Sequence, residues 1–85
     1  MNPKPRRMTG LDVNRVSDGY VIYRQASEIV HYLNHSGAFI FELCDGDTPV
    51  AWMAELVREA FALEDSPTDD VNRCLSELHR AALIE

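Results

Sequence analysis

Few residues in this chain combine a reactive side chain with a spacing that makes it useful. His31 and His35 stand four apart, the interval at which two imidazoles on one helix face can grip a metal. Here the interval crosses Leu33-Asn34, where a β-type run gives way to a helix-capping residue. No Cys-x-x-Cys pair or third ligand accompanies it, so no metal site is expected. None of the serines lies in a Gly-x-Ser-x-Gly elbow with a base and an orienting acid. Gly10, Gly19, Gly37 and Gly46 are single and scattered, whereas a phosphate cradle gathers its glycines ahead of a helix. Carboxylates such as Asp65, Asp69 and Asp70 crowd what read as helix starts, where capping and the helix dipole account for them. Catalysis and cofactor binding are therefore not expected of this chain alone.

The bulk properties narrow the classes that remain. A chain of 85 residues supplies one hydrophobic core, and its 46% apolar and 26% charged content lies in the globular range. A net charge of -6 works against a nucleic-acid partner, because Lys and Arg on phosphates supply most of the non-specific affinity. No stretch is long and apolar enough to span a bilayer or to act as a secretory signal, so a cytoplasmic protein with no membrane contact is expected. Cys44 and Cys74 both sit in helical apolar patterns and read as reduced core thiols.

The elements that must position any site follow from periodicity and caps. Residues 1–10, with Lys4, Arg6 and Arg7 bracketed by Pro3 and Pro5, read as a flexible, solvated tail, and residues 11–85 as the folded domain. Val13 and Val16, then Tyr20 to Tyr23, supply two strands about a Ser17-Asp18-Gly19 turn. A polar turn over residues 24–27 leads to a third strand over residues 28–33. Asn34 then caps a helix running to about Asp45, apolar nearly all round through Ala38, Phe39, Ile40, Phe41, Leu43 and Cys44, and closed by Gly46. Thr48-Pro49 opens a second helix whose core face is Val50, Met53, Ala54, Val57 and Phe61. Ser66-Pro67, with Asp69 three residues after the serine, opens a third with the buried stripe Val71, Leu75, Leu78 and Ala82. The predicted fold class is α+β and winged-helix-like in its order of parts, a three-stranded antiparallel sheet followed by three helices.

Leu33-Asn34 followed by Gly37-Ala38, then Glu42-Leu43-Cys44-Asp45-Gly46, resembles the leucine-asparagine and aspartate-glycine signatures of the PqqD-like family. The stretch from Asp70 to Leu78, with Leu83-Ile84-Glu85 at the end, is similar to that family's last helix and tail, so the likeness runs from about Val13 onward. Two positions depart from the pattern. Pro49 stands where the family often has threonine, a capping role that Thr48 can take over, and Ala82 stands where it often has glycine. A left-handed Ala82 would cost about 1 kcal/mol, so a different ending for the last helix is the alternative.

The resemblance implies a recognition element that holds the leader of a ribosomally made precursor peptide for a separate modifying enzyme, such as a radical-SAM, cyclase or protease-like maturase. It implies a free edge on the third strand beside a groove shared with the third helix, where the leader docks by strand addition. On that reading Ile29, Val30, His31, Tyr32 and Leu33 offer the pairing edge, with Leu33 facing inward. Asp70, Arg73, Cys74, Glu77 and Ala81 form the groove wall, and Arg73 is placed to pair a leader carboxylate.

Plainer readings stand beside these. Tyr32 can simply cover the sheet, Cys74 can be core, and Arg73 with Glu77 can be an i,i+4 surface pair. Trp52 reads as packing at the edge of the core; the alternative is an exposed patch with Leu56 that meets the modifying enzyme or a second copy in a homodimer. The rival function is a winged-helix DNA-binding regulator using Arg73 and Arg80, which the net charge disfavours.

Overall fold

The computed structural model describes residues 2–25 and 27–85; Met1, in the expected tail, and Ala26, in the expected turn, lie outside them. Its elements run β1 (Leu11–Val16), β2 (Gly19–Arg24), β3 (Val30–Asn34), α1 (His35–Leu43), α2 (Val50–Ala60) and α3 (Thr68–Arg80). This is the predicted α+β order, with one antiparallel sheet in the order β1-β2-β3 followed by three helices. The core is a single cluster in which Ile22 of the sheet meets Ile40, Phe41 and Cys44 of the α1 segment, Met53 and Val57 of α2, and Val71, Leu75 and Leu78 of α3. As its apolar circumference predicts, α1 is the central element, touching β2, β3, α2 and α3.

The β1–β2 loop is tight enough to require glycine, but at one position only. Val16 pairs with Gly19, and Gly19 carries the positive φ of +154°. A Cβ there would come within 1.7 Å of the Leu33 carbonyl oxygen, so glycine lets β2 and the end of β3 approach. Asn34 caps α1 as expected, its side chain accepting the Gly37 N–H at 2.9 Å.

The other two starts are shifted by a residue, because their hydroxyls are engaged elsewhere. Thr48 donates to the Asp45 carboxylate and Ser66 to Glu55, leaving Pro49 and Pro67 in the cap positions with no side-chain cap bond. Asp45 also accepts the Asp47 and Thr48 N–H groups, and those bonds hold its carboxyl below the usual range. α1 ends at Leu43, short of Asp45, and β3 starts at Val30, later than residue 28.

α3 ends with Ala82 in the left-handed region at φ +58°, so the costlier of the two expected endings is the one adopted. The Leu83 N–H reaches the Leu78 carbonyl and the Ala82 N–H the His79 carbonyl, a Schellman closure that satisfies two helix-end oxygens. Ala82 is consequently off the buried stripe, and Leu83 and Ile84 complete the core. α2 closes in the same way through Ala62, φ +53°. Trp52 does not join the core edge: it is 63% exposed.

The segment that reads as a solvated tail is packed. Arg6 and Glu85 exchange both backbone hydrogen bonds, the Arg7 N–H reaches the Cys44 carbonyl, Met8 bonds to Leu83, and Pro5 is buried. Arg7 also donates from its guanidinium to the Phe41 and Glu42 carbonyls at 3.3 and 2.6 Å, closing the end of a helix that has no basic residue in its own last turn. Extended pairing of this kind leaves no apolar period in the sequence, which is why composition alone suggested solvent exposure.

Candidate functional site

The register of β3 determines what its edge offers. Among the described residues β3 pairs with β2 alone, through Tyr20↔Leu33, Val21↔Tyr32, Ile22↔His31 and Tyr23↔Val30. The Leu33 carbonyl oxygen is turned toward Gly19, hence toward β2. In an antiparallel strand, successive residues direct both backbone groups to alternate sides. Leu33 and His31 therefore spend their N–H and C=O groups on β2, while Tyr32 and Val30 aim theirs away from the sheet. The side chains divide the same way: His31 and Leu33 are half-buried on the helical side, and Val30 and Tyr32 are 61% and 53% exposed. The Tyr32 hydroxyl reaches the Asp18 carbonyl at 3.4 Å, which draws the ring back along the sheet toward the β1–β2 turn.

Beside this edge lies α3. Its amphipathic face buries Val71, Leu75 and Leu78, and the adjoining stripe looks across at β3. Between them runs a groove of about 540 Å³ with walls from Tyr32 and Leu33 on one side and Asp70, Arg73, Cys74 and Glu77 on the other. A second hollow of about 340 Å³, bordered by Val30, His31 and Ala81, adjoins it across Tyr32, Leu33, Cys74 and Glu77. Nine of the ten residues expected from the sequence are thus brought to one trough. Ile29 is not: it precedes β3, is 64% exposed and borders neither hollow.

The floor was not foreseen. Ile40, Val57 and Val71 form the base of the larger hollow, and Phe61, Leu63 and Pro67 form its far end. Phe61 packs edge-on against Phe39 at 5.7 Å. The signal for Phe61 and Leu63 was two apolar residues flanking the point where α2 must stop. The Ala62 turn swings them toward α3, a placement that helical periodicity alone does not reveal.

The charges of the trough are unequal in availability. Arg73 donates to Asp70 at 3.3 Å, one turn back, rather than to Glu77. Both side chains are exposed, so the pair is worth little energetically, but it sets a carboxylate beside the guanidinium and offsets its charge. Glu77 has no ion-pair partner among the described residues. Burial, with a smaller contribution from the Glu77 charge, pushes the Cys74 thiol up to about 11, so near neutral pH it is a thiol in an apolar wall. Cys44 is pushed to about 12 by the same desolvation.

His31 and His35 border different hollows, His35 facing the one lined by Arg15, Ser17 and Phe39. Among the described residues no group of three His, Cys, Asp or Glu side chains is placed to hold a metal ion. No helix among them is long and apolar enough to cross a membrane. The arrangement is thus an edge with outward backbone groups at Val30 and Tyr32 beside a trough with an apolar floor and charged residues on its α3 wall.

A family model described as coenzyme PQQ synthesis protein D (PqqD) matches residues 19–84, from the first residue of β2 to the penultimate residue of the chain. No curated protein and no solved structure matches the chain significantly.

Proposed function

The chain belongs to the PqqD family, accessory proteins that work with a biosynthetic enzyme and a peptide, and from that membership we propose that it is a non-catalytic peptide chaperone. It holds the leader of a ribosomally made precursor by strand addition on β3 and presents the rest of the peptide to a modifying enzyme. Tethering raises the effective concentration of the substrate at that enzyme's active site without a bond being made or broken here. Trp52, exposed and outside both hollows, is left for the enzyme's side of the assembly.

The observation that carries this reading is that Val30 and Tyr32 turn their backbone groups outward beside the trough, with no partner among the described residues. Unpaired N–H and C=O groups on an edge are a template for one more strand, and the hollows alongside supply the selectivity that backbone pairing lacks. The DNA-binding alternative has no comparable support in a chain of net charge -6.

The test is a calorimetric titration with the precursor leader. Tyr32→Pro removes an N–H that the fold does not use, so it should leave the denaturation midpoint nearly unchanged and weaken binding at least about ten-fold. His31→Pro removes an N–H used by the sheet and should cost stability first. Equal leader affinity for Tyr32→Pro and the unaltered chain would rule out strand addition at this edge.

A further inference from the structure

The two walls of the trough differ in charge, and this bears on what kind of peptide fits. On the α3 side, the charged residues that line the two hollows are Asp70, Glu77 and a single cation, Arg73; Arg80, one turn beyond Glu77, borders neither hollow. Arg73 is already held by Asp70. On the opposite side, no Lys or Arg occurs between Arg24 and Arg58, an interval that includes β3 and α1. Arg58 is in turn engaged by Glu55. Among the described residues that line the trough, the one guanidinium or ammonium group is that of Arg73, paired with Asp70, whereas at the middle, where the two hollows meet, Glu77 stands without an ion-pair partner.

Resting on the strand-addition reading above, we infer that the guest is a basic leader: an extended segment that puts an apolar side chain into the larger hollow and a Lys or Arg beside it, against Glu77. The expectation that Arg73 pairs a leader carboxylate is reversed by this. A guest carboxylate would have to share Arg73 with the Asp70 carboxylate, and would do so beside an unneutralised Glu77. A guest cation displaces nothing. Charge complementarity of this kind sets which partner is accepted more than how tightly it is held. The acidic surface as a whole also speeds the approach of a basic segment.

Three labelled, end-blocked peptides of about a dozen residues test this by fluorescence anisotropy. All alternate Val and Thr around one Leu, and they differ only in carrying Lys, Gln or Glu two residues from that Leu. At low salt the Lys peptide should bind the unaltered chain roughly five-fold more tightly than the Glu peptide, with Gln between, the advantage of an exposed pair. The difference should shrink as salt screens the contact. Glu77→Lys should invert the order and Glu77→Gln should flatten it; Glu77 is exposed, so neither should disturb folding. Saturable binding of all three with equal affinity, or a preference for Glu, overturns the charge inference and leaves strand addition standing. Absence of saturable binding by any of the three removes both.

Discussion

Two margins of this small fold meet an extended chain in opposite ways. Along the corner formed by the end of α1 and residues 82–85, the protein supplies its own extended segment: Arg6 and Glu85 exchange backbone bonds, Met8 reaches Leu83, and Pro5 is buried. Along β3 no such segment is present among the described residues, and the outward backbone groups of Val30 and Tyr32 face a trough. The chemistry is alike, a strand laid beside existing backbone with a helix flank nearby. In the first case the added chain is covalently attached and always present, so it becomes architecture. In the second, the function proposed above gives that place to a partner, and affinity for that partner becomes possible. An edge is therefore a binding site only where the fold declines to cover it.

Gly19 should produce the largest break in this contrast. A Cβ at that position combines left-handed strain with a collision against the Leu33 carbonyl, 1.7 Å away. Gly19→Ala should cost roughly 3 kcal/mol, adding the strain to the displacement of packed backbone. Because the obstacle lies at the junction of β3 and α1, the same variant should also lose leader binding, while the Arg6–Glu85 corner has no contact with the change. Denaturant unfolding with a titration at low denaturant would read both. An unaltered unfolding midpoint would mean that β2 and β3 are not held at the separation described.

How far the sequence disclosed these margins depended on range. The Asn34 cap was legible because donor and acceptor lie three residues apart, and α1 was legible as the central helix from its own apolar circumference. The paired tail was not, since Arg7 finds its partners at Phe41 and Glu42 and Arg6 at Glu85, far along the chain. The α3 wall of the trough could be drawn from helical geometry once the family resemblance had located it. The division of β3 into used and unused backbone groups could not. That needs the register, and register depends on Gly19 and its approach to Leu33. The Phe61 and Leu63 end of the trough was hidden for a related reason: it depends on how α2 is closed rather than on which residues α2 contains.

Arg7→Ala addresses the covered margin. The side chain donates to two carbonyls at the end of α1 and lies 5.9 Å from the Phe41 ring. Bonds from a charged donor are worth more than ordinary ones, although the Phe41 carbonyl also accepts the Cys44 N–H. The side chain is about a third exposed, so the expected loss is reduced to about 1–2 kcal/mol. Thermal unfolding should show it, and leader affinity at a temperature where the variant is folded should be unchanged. A parallel fall in affinity would show that the two margins are coupled and that the contrast drawn between them is too sharp.

The smallest effect should come from the two alanines that close helices in the left-handed region, and they divide between the margins. Ala82 lies between α3 and the covered corner, and Ala62 lies between Phe61 and Leu63 at the end of the open trough. At each, glycine would relieve about 1 kcal/mol of left-handed strain and return part of it as greater freedom in the unfolded chain. A net gain of about 0.5 kcal/mol is expected for either change, a rise in Tm of about 2–4 °C for a domain of this size. The turns share no contact in their closures, so the gains should add in the double variant. Binding should separate them. Ala82→Gly should leave leader affinity alone, because Leu83 and Ile84 remain buried and Arg24 still reaches the Ala82 carbonyl. Ala62→Gly loosens the turn that holds Phe61 and Leu63 and should weaken binding slightly while the protein itself becomes more stable. If the binding effects came out the other way round, the leader would be held chiefly at the smaller hollow, which Ala81 and Leu83 border, and the larger hollow would not be where its apolar side chain sits.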